Sequence, residues 1–381
     1  MQEMIERYIL ELIRRSTPRR TAWNVEKIRE GADVKWNYID GCMLMALEAL
    51  TEITGDGRFM DFTVQVADSF VQEDGSIDTF NPEGRALDDY NEGRILFGVY
   101  RRTRKEKYRK AADMLYRCLM EQSRTPEGNF WHKAIYPNQV WLDGIYMAQP
   151  FIATWQKTFG TGDYADILRQ IRVVRERMRD PKTGLYYHGY DASRTAFWAN
   201  PETGLSRNFW LRAMGWYALA LADLIGILPE NAPERAEITE IFRELMDSVI
   251  RYADPETGMF WQVVDQAGRE GNYPETSGSA MMACAMLKGA RLGVLEERFR
   301  AQGRNTFEGI MKGFLKVDGD GMLELQNICL VAGLGPEKNR RRDGSYEYYI
   351  SEPVVRNDAK GSAPFVLCYT EILRLEKAGQ V

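Results

Sequence analysis

The chain has 381 residues, of which 44% are hydrophobic and 28% are charged, and its net charge at pH 7 is −5. This mildly acidic balance excludes the basic surface that nucleic acid or an anionic membrane would need, and the longest apolar runs are too short to cross a bilayer. The five cysteines are scattered and odd in number, which is typical of reduced thiols in the cytosol. The charged start "MQEMIERYILELIRR" lacks the apolar core of a secretory signal, so we expect a cytoplasmic protein.

Helical periodicity covers most of the chain and predicts twelve helices, at about residues 3–15, 42–54, 58–72, 93–103, 107–122, 144–159, 164–179, 209–227, 234–253, 277–292, 298–315 and 361–377. Several pairs are joined by short connectors, as antiparallel helical hairpins are.

Glycine stands at or just inside the start of alternate helices, at Gly41, Gly93, Gly144, Gly215, Gly278 and Gly361. Because glycine inside a helix costs about 1 kcal/mol relative to alanine, these placements indicate close approach of six helices around one axis. The unequal spacing of the glycines does not fit an open solenoid. No Pro-rich or Gly/Ser-rich linker divides the chain. We predict one all-α domain over residues 1–381, an (α/α)6 toroid of six helical hairpins.

Long loops before several inner helices share a glycine followed by alternating apolar and polar residues. They are "EGNFWHKAIYP" (127–137), "TGLYYHGYD" (183–191), "TGMFWQVVD" (257–265) and the weaker "DGMLELQ" (320–326). We expect them to form short β-hairpins on one rim of the ring. Loops on one face of a rigid scaffold are where functional sites are usually built.

The motifs of phosphate-binding, zinc-dependent and nucleophilic enzymes are missing. The chain has no CxxC, HExxH or Walker sequence, and its two histidines, His132 and His188, are 56 residues apart. A metal site would want further ligands, and a nucleophilic Ser or Cys would need one of these histidines as its base. The sequence therefore predicts neither a metal nor a cofactor. Each histidine is also open to a purely structural, hydrogen-bonding interpretation.

Carboxylates beside aromatic residues are a stronger signal. Asp88 and Asp89 precede one predicted inner helix in "RALDDYNEGRILF", and Asp143 precedes the next in "VWLDGIYM". Successive inner helices of a ring would bring these side chains to the same mouth, and a carboxylate pair there is typical of glycoside chemistry. The alternative is that each Asp caps its helix, a role worth about 1 kcal/mol.

A third dense stretch, "WANPETGLSRNFWLRAMGWYALALAD", carries Trp210, Arg212 and Trp216 near the start of one helix. An arginine between indoles can hold an anionic sugar whose apolar face stacks on the rings. Alternatively, both Trp side chains pack in the core and Arg212 bridges a surface carboxylate. The surplus of nine Trp and nineteen Tyr favours a carbohydrate cleft.

Together, "GNFWHKAIYPNQVWLDGIYMAQPF", "LDDYNEGRILF", "GLYYHGYD" and "FWLRAMGWYALALAD" resemble the unsaturated rhamnogalacturonyl hydrolases, glycoside hydrolase family 105. The resemblance extends from about Trp36 to "VVRNDAKGSAPFVL" (354–367), in the family's order. It implies a cytosolic enzyme of pectin breakdown that hydrates the C4=C5 double bond of a terminal unsaturated uronic acid in short oligosaccharides and so releases the neighbouring rhamnose.

The matched positions imply Asp143 as general acid and base and Asp88, rather than the family-variable Asp89, as the second essential carboxylate. They also imply substrate contacts from the remaining aromatic, histidine and arginine positions: His188, Trp210, Arg212, Trp216, His132 and Trp141. Asn37 departs from relatives that have histidine in this stretch. The implied reaction needs a small oligosaccharide and no nucleic acid, membrane, metal or cofactor.

Three other functions fit parts of the same pattern. Other unsaturated uronyl oligosaccharides, including glucuronyl ones, are alternative substrates. A sugar epimerase with the same toroid would exchange protons through His132 and His188. A non-catalytic oligosaccharide-binding toroid would need the tryptophans but tolerate the loss of Asp143 and Asp88.

Overall fold

The computed structural model describes residues 2–379. Within them the α-helices are α1 (Gln2–Arg14), α2 (Val25–Glu30), α3 (Tyr38–Thr54), α4 (Gly57–Phe70), α5 (Asp88–Asn91), α6 (Ile95–Thr103), α7 (Glu106–Met120), α8 (Leu142–Thr158), α9 (Ala165–Met178), α10 (Leu211–Ile227), α11 (Pro233–Val249), α12 (Thr276–Arg291), α13 (Glu297–Phe314), α14 (Tyr346–Ile350) and α15 (Ala359–Lys377). The strands are β1 (Gln139–Trp141), β2 (Gly189–Asp191), β3 (Leu315–Val317), β4 (Leu323–Leu325), β5 (Ile328–Cys329) and β6 (Val354–Val355).

All twelve helices predicted from periodicity are present, within a few residues of their predicted ends. The chain also forms three short helices, α2, α5 and α14, which span too few residues to show a hydrophobic period. Local side-chain caps support two of them, since Asn24 accepts from the Lys27 amide and Ser345 accepts from the Tyr348 amide.

Six inner elements form a closed ring. Helix α3 packs on α5 and α6, α5 packs on α8, and the ring continues through α10, α12 and α15 back to α3. Each of α4, α7, α9, α11 and α13 lies outside the inner helix that precedes it. The sixth outer helix is α1, which packs on α15 through Tyr8 and Phe365 and a 2.7 Å hydrogen bond between the hydroxyls of Tyr8 and Ser362. The predicted (α/α)6 toroid is confirmed.

Several of the predicted glycines lie where inner elements of the ring approach one another closely, whereas Gly93 and Gly361 face Leu115 of α7 and Ile328 of β5. A Cβ at Gly41 would lie 2.6 Å from the Cα of Glu92, and one at Gly278 would lie 2.3 Å from the Cγ of Leu211 on α10. Real side chains do not make such short contacts, so the ring is narrow at these helix starts because a Cβ is missing there.

The rim strands differ in part from the expected hairpins. Among the strands within residues 2–379, only β3 and β4 pair with each other as a local hairpin, around "DGMLELQ". The loops before α8 and α10 fold back on themselves through single bridges, Arg124 to Phe130 and Arg179 to Tyr186, and their ends then pair with each other as β1 and β2. Neighbouring inner helices begin on the same rim, so successive loops lie side by side and satisfy each other's backbone groups. No helix within residues 2–379 has both the length and the apolarity to cross a membrane.

Gly41→Ala should destabilise the protein by about 1–3 kcal/mol, because the added methyl group meets the backbone of Glu92, which a side-chain rotation cannot relieve. Urea unfolding measures the change. The control is Gly313→Ala in α13, where nothing lies within 4 Å of the added Cβ. This helical glycine should accept alanine with no loss of stability. Equal effects of the two substitutions on stability would show that the contact with Glu92 does not restrict residue 41 to glycine.

Candidate active site

The two carboxylates of the rim lie in the first turns of neighbouring inner elements and cap neither. The N-cap residues of α5 and α8 are Leu87 and Trp141, which make no side-chain cap, and no backbone N–H within residues 2–379 donates to the carboxylate of Asp88 or Asp143. The helix-capping interpretation is therefore wrong for both. Gly144 holds the two elements together at this point, because a Cβ there would lie 2.9 Å from Leu87 and 3.2 Å from the Nδ1 of His132.

Asp88 is paired with a lysine. Its Oδ2 lies 2.5 Å from the Nζ of Lys133, and its Oδ1 lies 3.7 Å from the Nε2 of His132. Burial alone raises the pKa of the Asp88 carboxyl, but the Lys133 ammonium, with His132, outweighs burial and brings that pKa below its usual value. Burial lowers the pKa of His132 to about 4, so this imidazole is neutral at physiological pH and Lys133 is the cation of the group.

Asp143 lies in a different environment. Its Oδ2 is 3.4 Å from the Nε2 of His188, and the side chain keeps 14% of its surface exposed. His188 is fully buried between Trp141 and Trp210, whose rings lie 5.5 Å and 4.7 Å from its ring. Within residues 2–379 no lysine or arginine lies within ion-pairing distance of Asp143. The two carboxylates therefore differ in the neighbour that each meets.

An aromatic wall joins the two carboxylate sites. Trp141 stacks on His132 at 4.3 Å between ring centres and contacts Tyr136 at 4.7 Å. Trp198 and Leu334 complete the apolar cluster around Trp141. The charges of both Asp88 and Asp143 act on His132, so the two sites share one electrostatic environment.

Arg212 and Trp216 lie deeper in the ring. Arg212 is 1% exposed, donates to Ser277 and to the carbonyl oxygens of Cys329 and Leu330, and lies 5.0 Å from the Trp210 ring centre. The interpretation of Arg212 as a bridge to a surface carboxylate is therefore wrong. Trp216 stacks on Tyr146 at 4.8 Å.

The neighbouring Asp89 is held by other partners. Its Oδ1 accepts from the Asn37 amide at 3.1 Å, and its backbone carbonyl accepts from the Trp36 indole at 2.9 Å. Burial and the charge of Asp88 raise the pKa of the Asp89 carboxyl to about 6. Asn37 thus binds Asp89 and also caps α3.

The structure joins seven of the eight residues proposed for the site through direct contacts that run from Asp88 to Arg212. The eighth, Trp216, packs on Tyr38 and Tyr146 instead. Sequence reasoning missed two further members. Lys133 follows His132 in "FWHK", but nothing in that stretch indicates its pairing with Asp88. Tyr349, whose hydroxyl lies 2.8 Å from the Nδ1 of His188, is separated from it by 161 positions and gave no signal. Within residues 2–379 no group of three or more His, Cys, Asp or Glu side chains is arranged to hold a metal ion.

The toroid with an aromatic, carboxylate-bearing mouth defines a class of carbohydrate-active enzyme, and comparison with known proteins identifies the family. The profile described as Glycosyl Hydrolase Family 88 matches residues 12–376. A family 105 glycoside hydrolase from C. acetobutylicum ATCC 824 has a similar structure, with a TM-score of 0.89 and 39% identity over 97% of this chain and 98% of that one. The chain belongs to glycoside hydrolase families 88 and 105, and the resemblance seen in the sequence is confirmed.

Other relatives extend the comparison. Protein Atu3128 of Agrobacterium fabrum is 41% identical over 236 residues, which are 61% of this chain and all of that protein. The unsaturated rhamnogalacturonyl hydrolase YesR of Bacillus subtilis is 26% identical over 267 residues, 68% of this chain and 72% of that protein. The unsaturated glucuronyl hydrolase of Bacillus sp. GL1 shares the fold, with a TM-score of 0.68 and 16% identity over 100% of this chain and 98% of that one.

Lys133→Met should destabilise the protein by about 3 kcal/mol at neutral pH, because it leaves the Asp88 carboxylate buried without its cation. In the parent the lowered pKa of Asp88 stabilises the fold above the carboxyl's unfolded pKa, and this stabilisation is lost only in acid. In the variant burial raises the pKa of Asp88, so the difference from the parent should shrink between neutral pH and about pH 5.

Urea unfolding across this pH range measures both effects. The matched control is Arg20→Met, which removes the cation of an exposed pair whose side chains are 73% and 59% accessible. It should change the free energy of unfolding by less than about 1 kcal/mol at every pH. A Lys133→Met protein as stable as the control variant would show that the pair does not hold Asp88 ionised.

Proposed function

We propose that the protein hydrates the C4=C5 double bond of an unsaturated galacturonic acid at the non-reducing end of short rhamnogalacturonan oligosaccharides, releasing the neighbouring rhamnose. The family supports the reaction class, and the sequence motifs and the relative from Bacillus subtilis support the galacturonyl substrate. Unsaturated glucuronyl oligosaccharides are the second candidate, since the toroid of the Bacillus sp. GL1 enzyme has the same fold.

The observation that carries the mechanism is the different pairing of the two carboxylates. Lys133 keeps Asp88 ionised, whereas Asp143 faces an imidazole and has no ammonium or guanidinium partner among residues 2–379. A carboxyl that gives up and regains a proton in each cycle needs to be free of a fixed cation, because a cation holds it ionised. Asp143 is accordingly the general acid and base, and Asp88 is the permanent anion.

The reaction uses one proton in two steps. The double bond and ring oxygen form an enol ether, and Asp143 protonates C4, which leaves an oxocarbenium-like centre at C5. The Asp143 carboxylate then takes a proton from the water that attacks C5, so the acid is restored. The product is a hemiketal, and it opens and releases the neighbouring sugar. The ionised Asp88 stabilises the positive charge that develops near C5.

The remaining residues position the substrate and the histidine. Trp141 and Trp210 are buried and pack around His188, so they hold this histidine beside Asp143. Arg212 lies beneath Trp210 as a fully buried cation that ion-pairs with no carboxylate among residues 2–379, and it supplies the charge that attracts the uronate group. His132 lies beside Asp88 and His188 lies beside Asp143.

Asp143→Asn should lower turnover by more than about a hundredfold with the fold intact, because the amide neither gives nor takes the proton. Loss of the ultraviolet absorbance of the C4=C5 double bond measures turnover, and circular dichroism checks the fold. Asp88→Asn should inactivate similarly, whereas Asp89→Asn should keep most of the activity. The matched control is Asp56→Asn, which replaces a true N-cap that accepts from the Arg58 amide at 3.0 Å. Unchanged turnover in Asp143→Asn would remove Asp143 from the mechanism.

The substrate is tested with lyase-generated disaccharides. The protein should act at least about tenfold faster, by kcat/KM, on unsaturated galacturonyl-rhamnose than on unsaturated glucuronyl disaccharides. Faster turnover of the glucuronyl compounds would reassign the substrate. Product mass separates hydration, which adds one water, from epimerisation, which conserves mass and the double bond. Binding without turnover in the parent would support the non-catalytic toroid.

A further inference from the structure

Tyr349 is held rigidly against the histidine that faces Asp143. Its side chain is fully buried, and its ring lies nearly parallel to Trp210, at 15° and 5.8 Å between centres. Its backbone carbonyl accepts from the Gln262 amide at 3.1 Å. Its hydroxyl lies 2.8 Å from the Nδ1 of His188. This contact joins the short helix α14 to the rim residue nearest to Asp143.

The direction of this hydrogen bond follows from the surroundings. Burial raises the pKa of the Tyr349 hydroxyl well above its ordinary value, so the hydroxyl keeps its proton. Within residues 2–379 the only hydrogen-bond partner of that hydroxyl is the Nδ1 of His188. A buried O–H without an acceptor is costly, so the hydroxyl donates and Nδ1 accepts. A neutral imidazole that accepts at Nδ1 carries its own proton on Nε2.

The Nε2 of His188 and the Oδ2 of Asp143 are complementary. They lie 3.4 Å apart, and both are buried with no hydrogen-bond partner among residues 2–379. If Nε2 carries a proton, a small side-chain rotation lets it donate a hydrogen bond to Oδ2, which satisfies both atoms. Hydrogen bonds in an active site often shorten when substrate binds. Since Oδ2 is shielded from solvent, the exposed oxygen of Asp143 is Oδ1.

We propose that Tyr349 is a positioning residue whose hydroxyl fixes His188 as the Nε2–H tautomer. This N–H donates a hydrogen bond to the Oδ2 of Asp143, so the reactive proton resides on Oδ1. The role in turnover rests on the proposed function, whereas the tautomer does not. The other tautomer would point the Nε2 lone pair at a carboxylate oxygen. In enzymes that use a histidine beside a carboxylate, the wrong tautomer lowers turnover strongly.

His132 provides a contrast within the same mouth. Its Nδ1 is buried without a hydrogen-bond partner among residues 2–379, and no tyrosine hydroxyl lies within hydrogen-bonding distance of it there. Only His188 therefore has a tautomer set by a second residue. The other titratable or charged groups around this pair are those of the two carboxylate sites and of the segment around α14: Asp88, Lys133, His132, Tyr348, Asp343 and Cys329.

The test is nitrogen NMR of ¹⁵N-histidine-labelled protein, with Tyr349→Phe as the variant. The sequence contains only two histidines, so four ring-nitrogen signals report both tautomers, and a His132→Asn protein assigns them. In the parent His188 should show a bare Nδ1 and a protonated Nε2. In Tyr349→Phe these two signals should move towards each other, while those of His132 stay in place. The matched control is Tyr8→Phe, which removes another fully buried tyrosine hydroxyl, one that bonds to Ser362 on the outer side of the ring.

Kinetics supply the second readout. Tyr349→Phe should lower kcat about tenfold with KM changed less than about twofold, because the substrate contacts remain and the acid is misplaced. The alkaline limb of the kcat/KM profile, which reports loss of the reactive proton, should move to higher pH because the Asp143 carboxylate has lost a donor. Tyr8→Phe should change neither.

Two results would overturn the proposal: an Nδ1–H tautomer of His188 in the parent, or unchanged His188 signals and pH profile in Tyr349→Phe. The parent spectrum decides the tautomer even if the variant fails to fold. If the parent does not consume unsaturated uronides but shows the Nε2–H tautomer, the proposed function fails and the assignment of the hydrogen bond stands.

Discussion

The closure of six inner helices into a narrow ring is the constraint on which the site depends. All six begin on one rim, and at several of these starts the backbones approach within a distance that excludes a Cβ, as at Gly41 and Gly278. The carboxylates at the starts of α5 and α8 therefore open into one mouth, and Gly144 lets Leu87 and His132 pack against the first turn of α8. A side chain at this glycine would push apart the two elements that carry Asp88 and Asp143.

The register of the three-residue strands β1 and β2 then determines the position of His188. Strand β1 ends at Trp141, which pairs with Gly189, and the backbone carbonyl of His188 accepts from the Leu142 amide at 3.1 Å. His188 thereby lies beside the first turn of α8. Because side chains alternate along a strand, a slip of one residue would turn the imidazole to the opposite face and leave Asp143 without its neighbour. The pairing between loops, rather than within them, is thus what assembles the site.

The sequence predicted the parts of this molecule that follow from local periodicity. Amphipathic periodicity predicted the twelve long helices, and glycine at the helix starts predicted the ring. The aspartates flanked by aromatic residues indicated where the mouth of the ring lies. Contacts between distant segments left no periodic signal. Tyr349 contacts His188 across 161 positions, and Lys133 pairs with Asp88 from a different loop. Arg212 likewise donates hydrogen bonds to Ser277 and to backbone carbonyl oxygens of a distant segment. Such pairings depend on how loops of different lengths fold over the rim, which the hydrophobic pattern does not encode.

The same residue type can serve as a fixed anion and as a proton carrier only if the two copies meet different neighbours. Asp88 contacts the Lys133 ammonium, which stays charged at physiological pH, so the Asp88 carboxylate stays ionised despite its burial. Asp143 faces His188, which contacts the hydroxyl of Tyr349, and on the proposed tautomer one carboxylate oxygen receives the Nε2–H while the other stays exposed. Exchanging these surroundings would give an acid that cannot hold its proton and an anion without a counter-charge. Under the proposed mechanism, Lys133 and Tyr349 decide the direction of proton transfer, although neither of them gives or takes the proton.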